Sequence, residues 1–282
     1  MPETDWAVLD ERAREVLRQH RGVAHVAAFD EAGITRRQVA ALRGRGVLER
    51  PRIGWYVDPA LPWQAKRAVR VGGVADCVTA AELWGLPVPP HSHRVLHVHV
   101  AEHEGPLRHN RDRTWVLRSV EDDGEVRVHR GVRREPSVEA RSGLVDTLLA
   151  LAGCVPLEWF VAALDAARHV PRGGRPLVGD EDYERLIAQL PRRLLPVVDL
   201  VDARAESCLE TLLRLGMLRR GIEQIALQAQ VHPGTARTSS SGPGLWSRPM
   251  ARRSTTPKRT ASGTWSSPRW ATACSASRTC GS

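Results

Sequence analysis

Lysine is almost missing from this 282-residue chain, where Lys66 and Lys258 are the only lysines among 41 basic residues. That skew fits a gene rich in G and C. Acidic residues are missing too, but locally: none follows Glu223. The formal net charge of +9 therefore splits into +1 for residues 1–230 and +8 for residues 231–282. A sequence pI near 10.3 would ordinarily point to a nucleic-acid partner across the whole surface. Here it describes the last fifth of the chain, and the body needs local arguments. No apolar run approaches the roughly 20 residues that cross a bilayer. The acidic start Met1-Pro-Glu-Thr-Asp lacks a basic n-region and an apolar h-region, so the chain reads as cytoplasmic with no membrane partner. None of the five cysteines forms a C-x-x-C pair, which argues against a zinc ribbon or a dithiol redox motif. They read as buried or idle thiols. There is no Ser-His-Asp order, no G-x-x-x-x-G-K-S/T and no G-x-G-x-x-G, so no catalytic triad, phosphate loop, cofactor or metal is expected.

What is present begins with periodicity. Residues 5–18 place Trp6, Leu9, Ala13, Val16 and Leu17 at helical spacing behind a capping Asp5. The stretch 23–33 reads as a second short helix ending at Gly33. Thr35 then offers an N-cap hydroxyl for a third helix, residues 36–44, with Val39, Ala40 and Leu42 facing inward. Residues 47–57 read as a hairpin, or wing, with its tip at Arg50-Pro51-Arg52. Residues 33–56 carry six arginines against one acid, Glu49, a basic patch within a nearly neutral body.

A helix that enters the major groove presents donors from its first turn. There arginine reaches guanine edges and glutamine pairs with adenine, while a basic wing holds phosphates. Thr35, Arg36, Arg37 and Gln38 are the candidate DNA-contacting residues of the helix start, with the last three as base readers. Arg43, Arg45, Arg50 and Arg52 are the candidate phosphate holders. The same arginines could instead solvate one face of a small helical unit, and helix-turn-helix patterns also serve as docking modules.

The segment FDEAGITRRQVAALRGRGVLERPRIGWYV resembles the N-terminal winged helix of the abortive-infection AbiEi family of type IV antitoxins. In that family a G-(V/I/L)-(T/S)-R-x-x-(I/V)-x-x-L-x-x-x-G pattern leads into a basic hairpin. The likeness continues through Gly72-Gly73 and the helix TAAELWGL at 79–86. It implies double-stranded DNA binding near a promoter, often autoregulatory, with a cognate toxin as partner.

Beyond the head (residues 1–60), residues 61–135 read as a mixed α/β middle with strands near 95–100, 113–118 and 125–130. Five histidines fall within 91–103. His97 and His99 share a strand face, and His91 with His93 adds candidate ligands, but this spacing alone reads as a strand with one wet face. Residues 136–201 read as a helical section, in which Asp146, Asp165 and Asp182 are explained by caps and solvated faces. Residues 202–231 read as one helix (203–219), with Leu209, Leu212, Leu213 and Leu215 buried, and a strand (222–231). Its A-x-S-x-x-E opening is similar to the start of a very-short-patch-repair-like endonuclease domain. That resemblance implies an ancillary acid at Glu210 and, further on, a metal-holding carboxylate set.

Residues 232–282 lack any such set and read as a disordered basic tail that cannot bury a core. In one alternative reading frame, G/C-rich codons for LWSRPMA give V-V-E-A-D-G, and those for PRWATACSASRT give A-L-G-Y-R-V-L-R-V-S-D. Both resemble strands of the nuclease family, so a single frameshift between about Gln230 and Thr235 accounts for them. The competing account is a genuine basic arm carrying Trp246, Trp265 and Trp270. The expectation is thus an α+β chain: a winged helix-turn-helix, a mixed middle, a helical section, an incomplete restriction-endonuclease-like domain and a tail. Its expected function is DNA binding as an antitoxin-like regulator. The alternatives are a PD-(D/E)xK-type endonuclease in its uninterrupted form and a toxin-docking protein.

Overall fold

The computed structural model describes residues 5–102, 107–109, 125–222, 225 and 227–228. Residues 1–230 group into one compact unit. The expected disordered tail, the expected frameshift junction and the expected strand at 113–118 lie outside the described residues. The architecture is mixed α+β, and no helix among the described residues is long and apolar enough to cross a membrane.

Helix α1 (Trp6–Gln19) starts where the Asp5 carboxylate accepts the Ala7 and Val8 amides, at 3.1 and 3.3 Å. Leu9, Ala13, Val16 and Leu17 form its buried face, while Trp6 stays partly exposed beneath the Arg45 guanidinium. The expected helix over 23–33 is shorter than its pattern suggests. Val23–His25 is strand β1, and only Val26–Glu31 is helical, as α2. The reason is a tertiary pairing, since β1 lies antiparallel to β3 (Trp55–Val57) with Val23 opposite Val57. Gly33 follows with φ of +71°, the left-handed turn that glycine adopts without strain.

Helix α3 (Arg36–Gly44) opens on a reciprocal capping box. The Thr35 hydroxyl accepts the Gln38 amide at 3.4 Å, and Gln38 Oε1 accepts the Thr35 amide at 2.9 Å. Thr35→Ala is therefore expected to lower stability by about 1 kcal/mol in urea denaturation, and no change would show that the cap is redundant. Val39 and Leu42 are buried, but Ala40 is exposed, contrary to its expected inward position.

Strand β2 (Glu49–Arg52) pairs with β3 to complete a sheet of order β1-β3-β2. The hairpin tip is Ile53-Gly54, not Arg50-Pro51-Arg52, and Gly54 has φ of +80°. Pro51 sits inside β2 because that strand is the sheet edge and irregular between Glu49 and Arg52, where a missing N–H breaks no ladder. Phe29, Ile34, Val39, Leu42, Leu48 and Tyr56 pack with α1 into a core drawn wholly from residues 9–56.

The middle section contains α4 (Trp63–Val71), β4 (Val74–Ala75), α5 (Cys77–Leu83), β5 (Leu96–Val100) and β6 (Val126–Arg130). The sheet order is β4-β5-β6, antiparallel at the first junction and parallel at the second. Strand β5 has no wet face: Leu96, His97, Val98 and Val100 are all buried and His99 is half-buried. Helices α4 and α5 both pack against it.

The helical section comprises α6 (Leu144–Leu151), α7 (Leu157–Arg168) and α8 (Asp180–Gln189). A run of 3₁₀ turns (Arg192–Leu200) carries Pro196, which cannot donate to an α-helical ladder. Helix α9 (Cys208–Leu218) starts later than expected, behind a capping Ser207. Its buried face is also different. Leu209 and Leu213 are exposed, whereas Thr211, Arg214 and Leu215 are buried.

The cause is Asp165 on α7, which is 1 % exposed. Its carboxylate accepts the Thr211 hydroxyl at 2.6 Å, Arg214 at 2.9 Å and the Asp202 amide at 2.7 Å. Asp146 is likewise buried, accepting the Arg134 and Glu135 amides at 2.9 Å. Both aspartates are internal anchors, while Asp182 pairs with Arg185 on the surface, as a solvated face predicts. The expected strand at 222–231 is not seen at its described positions: Ile222 and Ile225 have no regular structure, and Leu227 and Gln228 form a turn.

Candidate nucleic-acid interface and a Cys–His cluster

Helix α3 turns Val39 and Leu42 into the amino-terminal core, which leaves Arg36, Arg37 and Arg43 exposed. None of these three forms an ion pair with a described residue. Three other candidates are already engaged. Gln38 commits its carbonyl oxygen to the capping box, so it lacks the free amide edge that a bidentate adenine contact needs. Arg45 grips Asp10 through two bonds of 2.8 and 3.2 Å, and this holds the Asp10 carboxyl below the usual range. Thr35 is the cap itself.

Arg50 lines a shallow open cleft with Arg43, Gly46 and Arg70, on the flank of the hairpin. Glu49, the one acid of the patch, also borders this cleft and is bound to Lys66 at 2.8 Å. Arg52 instead lies against Gly72 at the end of α4. The structure therefore gathers Arg36, Arg37 and Arg43 on one helix, with Arg50 beside Arg43, and directs Arg52 elsewhere.

Glu210 occupies the first turn of α9, where it accepts the Glu206 amide at 3.0 Å and Gln228 Nε2 at 3.1 Å. It joins no cluster of metal-ligating groups among the described residues. Among the described residues its hydrogen bonds are local to the start of α9 and to Gln228.

One cluster does form. Cys77, His97, His129 and Cys154 place their ligand atoms within 4.8 Å of one another. His97 Nδ1 lies 3.0 Å from His129 Nε2, and the two rings stack at 5.2 Å. Cys77 opens α5 with φ of +49°, an uncommon conformation for a residue with a β-carbon. His97 is fixed by two backbone bonds: its amide donates to Thr79 Oγ1 at 2.9 Å, and its carbonyl accepts the Asp76 amide at 3.0 Å. Cys154 lies in the turn between α6 and α7. Burial pushes the Cys77 thiol up, while the Cys77 thiol and the imidazoles of His129 and His97 pull the Cys154 thiol down.

Of the histidines singled out by spacing, only His97 enters this cluster. His99 faces Asp76 at 3.7 Å and the Gly131 carbonyl at 3.1 Å, and His91 and His93 lie near each other by the 3₁₀ turn Ser92–Arg94. The chain matches no protein-family model, and no curated protein matches it.

Proposed function

We propose that the protein binds double-stranded DNA through α3, as a winged-helix module. The observation that carries this reading is the set of three arginines, Arg36, Arg37 and Arg43, on the exposed side of a short capped helix, without ion-pair partners among the described residues. The order helix, strand, two helices and hairpin, with a β1-β3-β2 sheet, supports it, because that order sets a second helix forward beside a wing. Arg36 and Arg37 at the helix start read base edges, and Arg43 with Arg50 holds phosphates. The resemblance to the AbiEi family extends the reading to an antitoxin-like transcriptional regulator with a toxin partner. Cleavage is not expected of this chain, since Glu210 joins no cluster of metal-ligating groups among the described residues and no carboxylate side chain follows Glu223 in the sequence.

The test is a salt titration of duplex binding with residues 1–230, so that the basic segment 231–282 contributes nothing. With about 4–6 phosphate contacts, the slope of log K against log salt is about −4 to −5. On a duplex selected from a random pool, Arg36→Ala and Arg37→Ala each weaken binding by about 1–3 kcal/mol and relax base preference. Arg43→Ala weakens all duplexes alike. A flat titration would falsify the DNA reading and favour a docking module.

A further inference from the structure

We propose that Cys77, His97, His129 and Cys154 bind one zinc ion in a closed tetrahedral site. The site ties the β4-β5-β6 sheet to the helical section. Zinc bonds of about 2.0–2.3 Å to nitrogen and sulfur place tetrahedral ligand atoms about 3.3–3.8 Å apart. The four donors here already fall within 4.8 Å, and the two ring nitrogens at 3.0 Å need to part by only a few tenths of an ångström.

The donor set decides the metal. Two sulfurs and two imidazoles with no carboxylate suit a borderline-soft tetrahedral ion and exclude magnesium and calcium, which take oxygen ligands. Two thiolates and two neutral imidazoles also balance the 2+ charge, which a largely buried site requires. Four protein ligands leave no open position, so the ion acts structurally.

The backbone is arranged to present these atoms. His97 on β5 and His129 on β6 are offset by two positions in a parallel register, so both side chains rise from the same sheet face. Cys77 holds a left-handed conformation at the start of α5, the kind of backbone strain that collects at ligand clamps. Neighbouring Asp76 is 2 % exposed, and its Oδ1 has no hydrogen-bond partner, so a buried carboxylate lies one residue from the site. The ligands come from β5, β6, the start of α5 and the α6–α7 turn. The ion therefore joins two core clusters, one built on the sheet and one on the helices.

The test uses the full chain, freed of metal under reducing conditions and titrated with Zn²⁺ and with Co²⁺. One equivalent should bind and survive gel filtration. Cobalt should show tetrahedral ligand-field bands and a thiolate charge-transfer band. The triple variant Cys208→Ser, Cys274→Ser, Cys280→Ser should bind unchanged, whereas Cys154→Ser should lose the charge-transfer intensity of one thiolate. Its zinc affinity should fall more than the roughly 10–100-fold that losing an outer-sphere partner produces. Where a cysteine variant does not fold, His129→Gln at the partly exposed edge of the site supplies the readout, with the same fall in affinity expected. The proposal is overturned by absence of retained metal, by unchanged affinity in Cys154→Ser or His129→Gln, or by a Cys77–Cys154 disulfide that persists under the reducing conditions.

Discussion

Asp165→Ala is expected to lower stability by about 3–5 kcal/mol in urea denaturation of the whole chain. The carboxylate gathers three donors from residues 202–214, and Arg214 is itself nearly enclosed, with a side chain 9 % exposed. Truncation leaves that guanidinium without its counter-charge inside the protein, together with an amide and a hydroxyl lacking acceptors. Burial pushes the Asp165 carboxyl up, against the opposing pull of Thr211, the Asp202 amide and Arg214. The double variant Asp165→Ala, Arg214→Met removes the stranded charge and should recover part of the loss. A single-variant loss below about 1 kcal/mol would show that water reaches the site and that α9 docks by its apolar contacts, Leu215 and Leu218 among them.

Gly73→Ala should be nearly as damaging, by about 3 kcal/mol, with the loss read from thermal unfolding. A β-carbon at Gly73 would sit on the His99 carbonyl oxygen, 2.7 Å from Val98 Cγ1 and 2.9 Å from Val100 Cγ1. The obstacle is a backbone atom of β5, which cannot swing aside as a side chain does. Strand β4 would have to leave β5, opening the Val74–His99 and Ala75–Val98 pairing. Gly85→Ala is the control. Gly85 has φ of +75° but nothing within 4 Å of the added carbon, so only backbone strain of about 1 kcal/mol is expected. Equal losses at the two positions would mean that steric contact at β5 is not what demands a glycine.

The residues that announced themselves in the sequence are those whose role is local. Asp5, Gly33 and Thr35 act within a few positions of themselves, and each does what its type and place predict. Strand β1 was hidden because VAH has no strand pattern of its own and is extended by its partner β3. Pro51 suggested a turn because its tolerance inside a strand depends on β2 lying at the sheet edge. The outward leucines of α9 follow the same logic, since only the buried Asp165 on another helix explains why Thr211 and Arg214 face inward.

The Cys–His cluster was the least legible feature. Its four residues sit at 77, 97, 129 and 154, with none of the short spacings that mark a metal ribbon. The signal available was His97 on an alternating strand, but its partners are supplied by the parallel register of β6 and by the ends of helices. On the candidate interface, the basic helix was visible by composition. What composition hid was that Arg45 and Gln38 were already committed to Asp10 and to the cap.

The 49-residue interval between Asp165 and Arg214 also orders events during synthesis. The amino-terminal core, closed within residues 9–56, is complete while most of the chain is still unmade. Asp165, by contrast, lacks two of its three donors until α9 has been made, because Thr211 and Arg214 belong to that helix. A chain halted before Thr211 lacks the hydroxyl and the guanidinium that α9 brings to this carboxylate. The anchoring of Asp165 thus waits on residues 37 to 49 positions further along the chain.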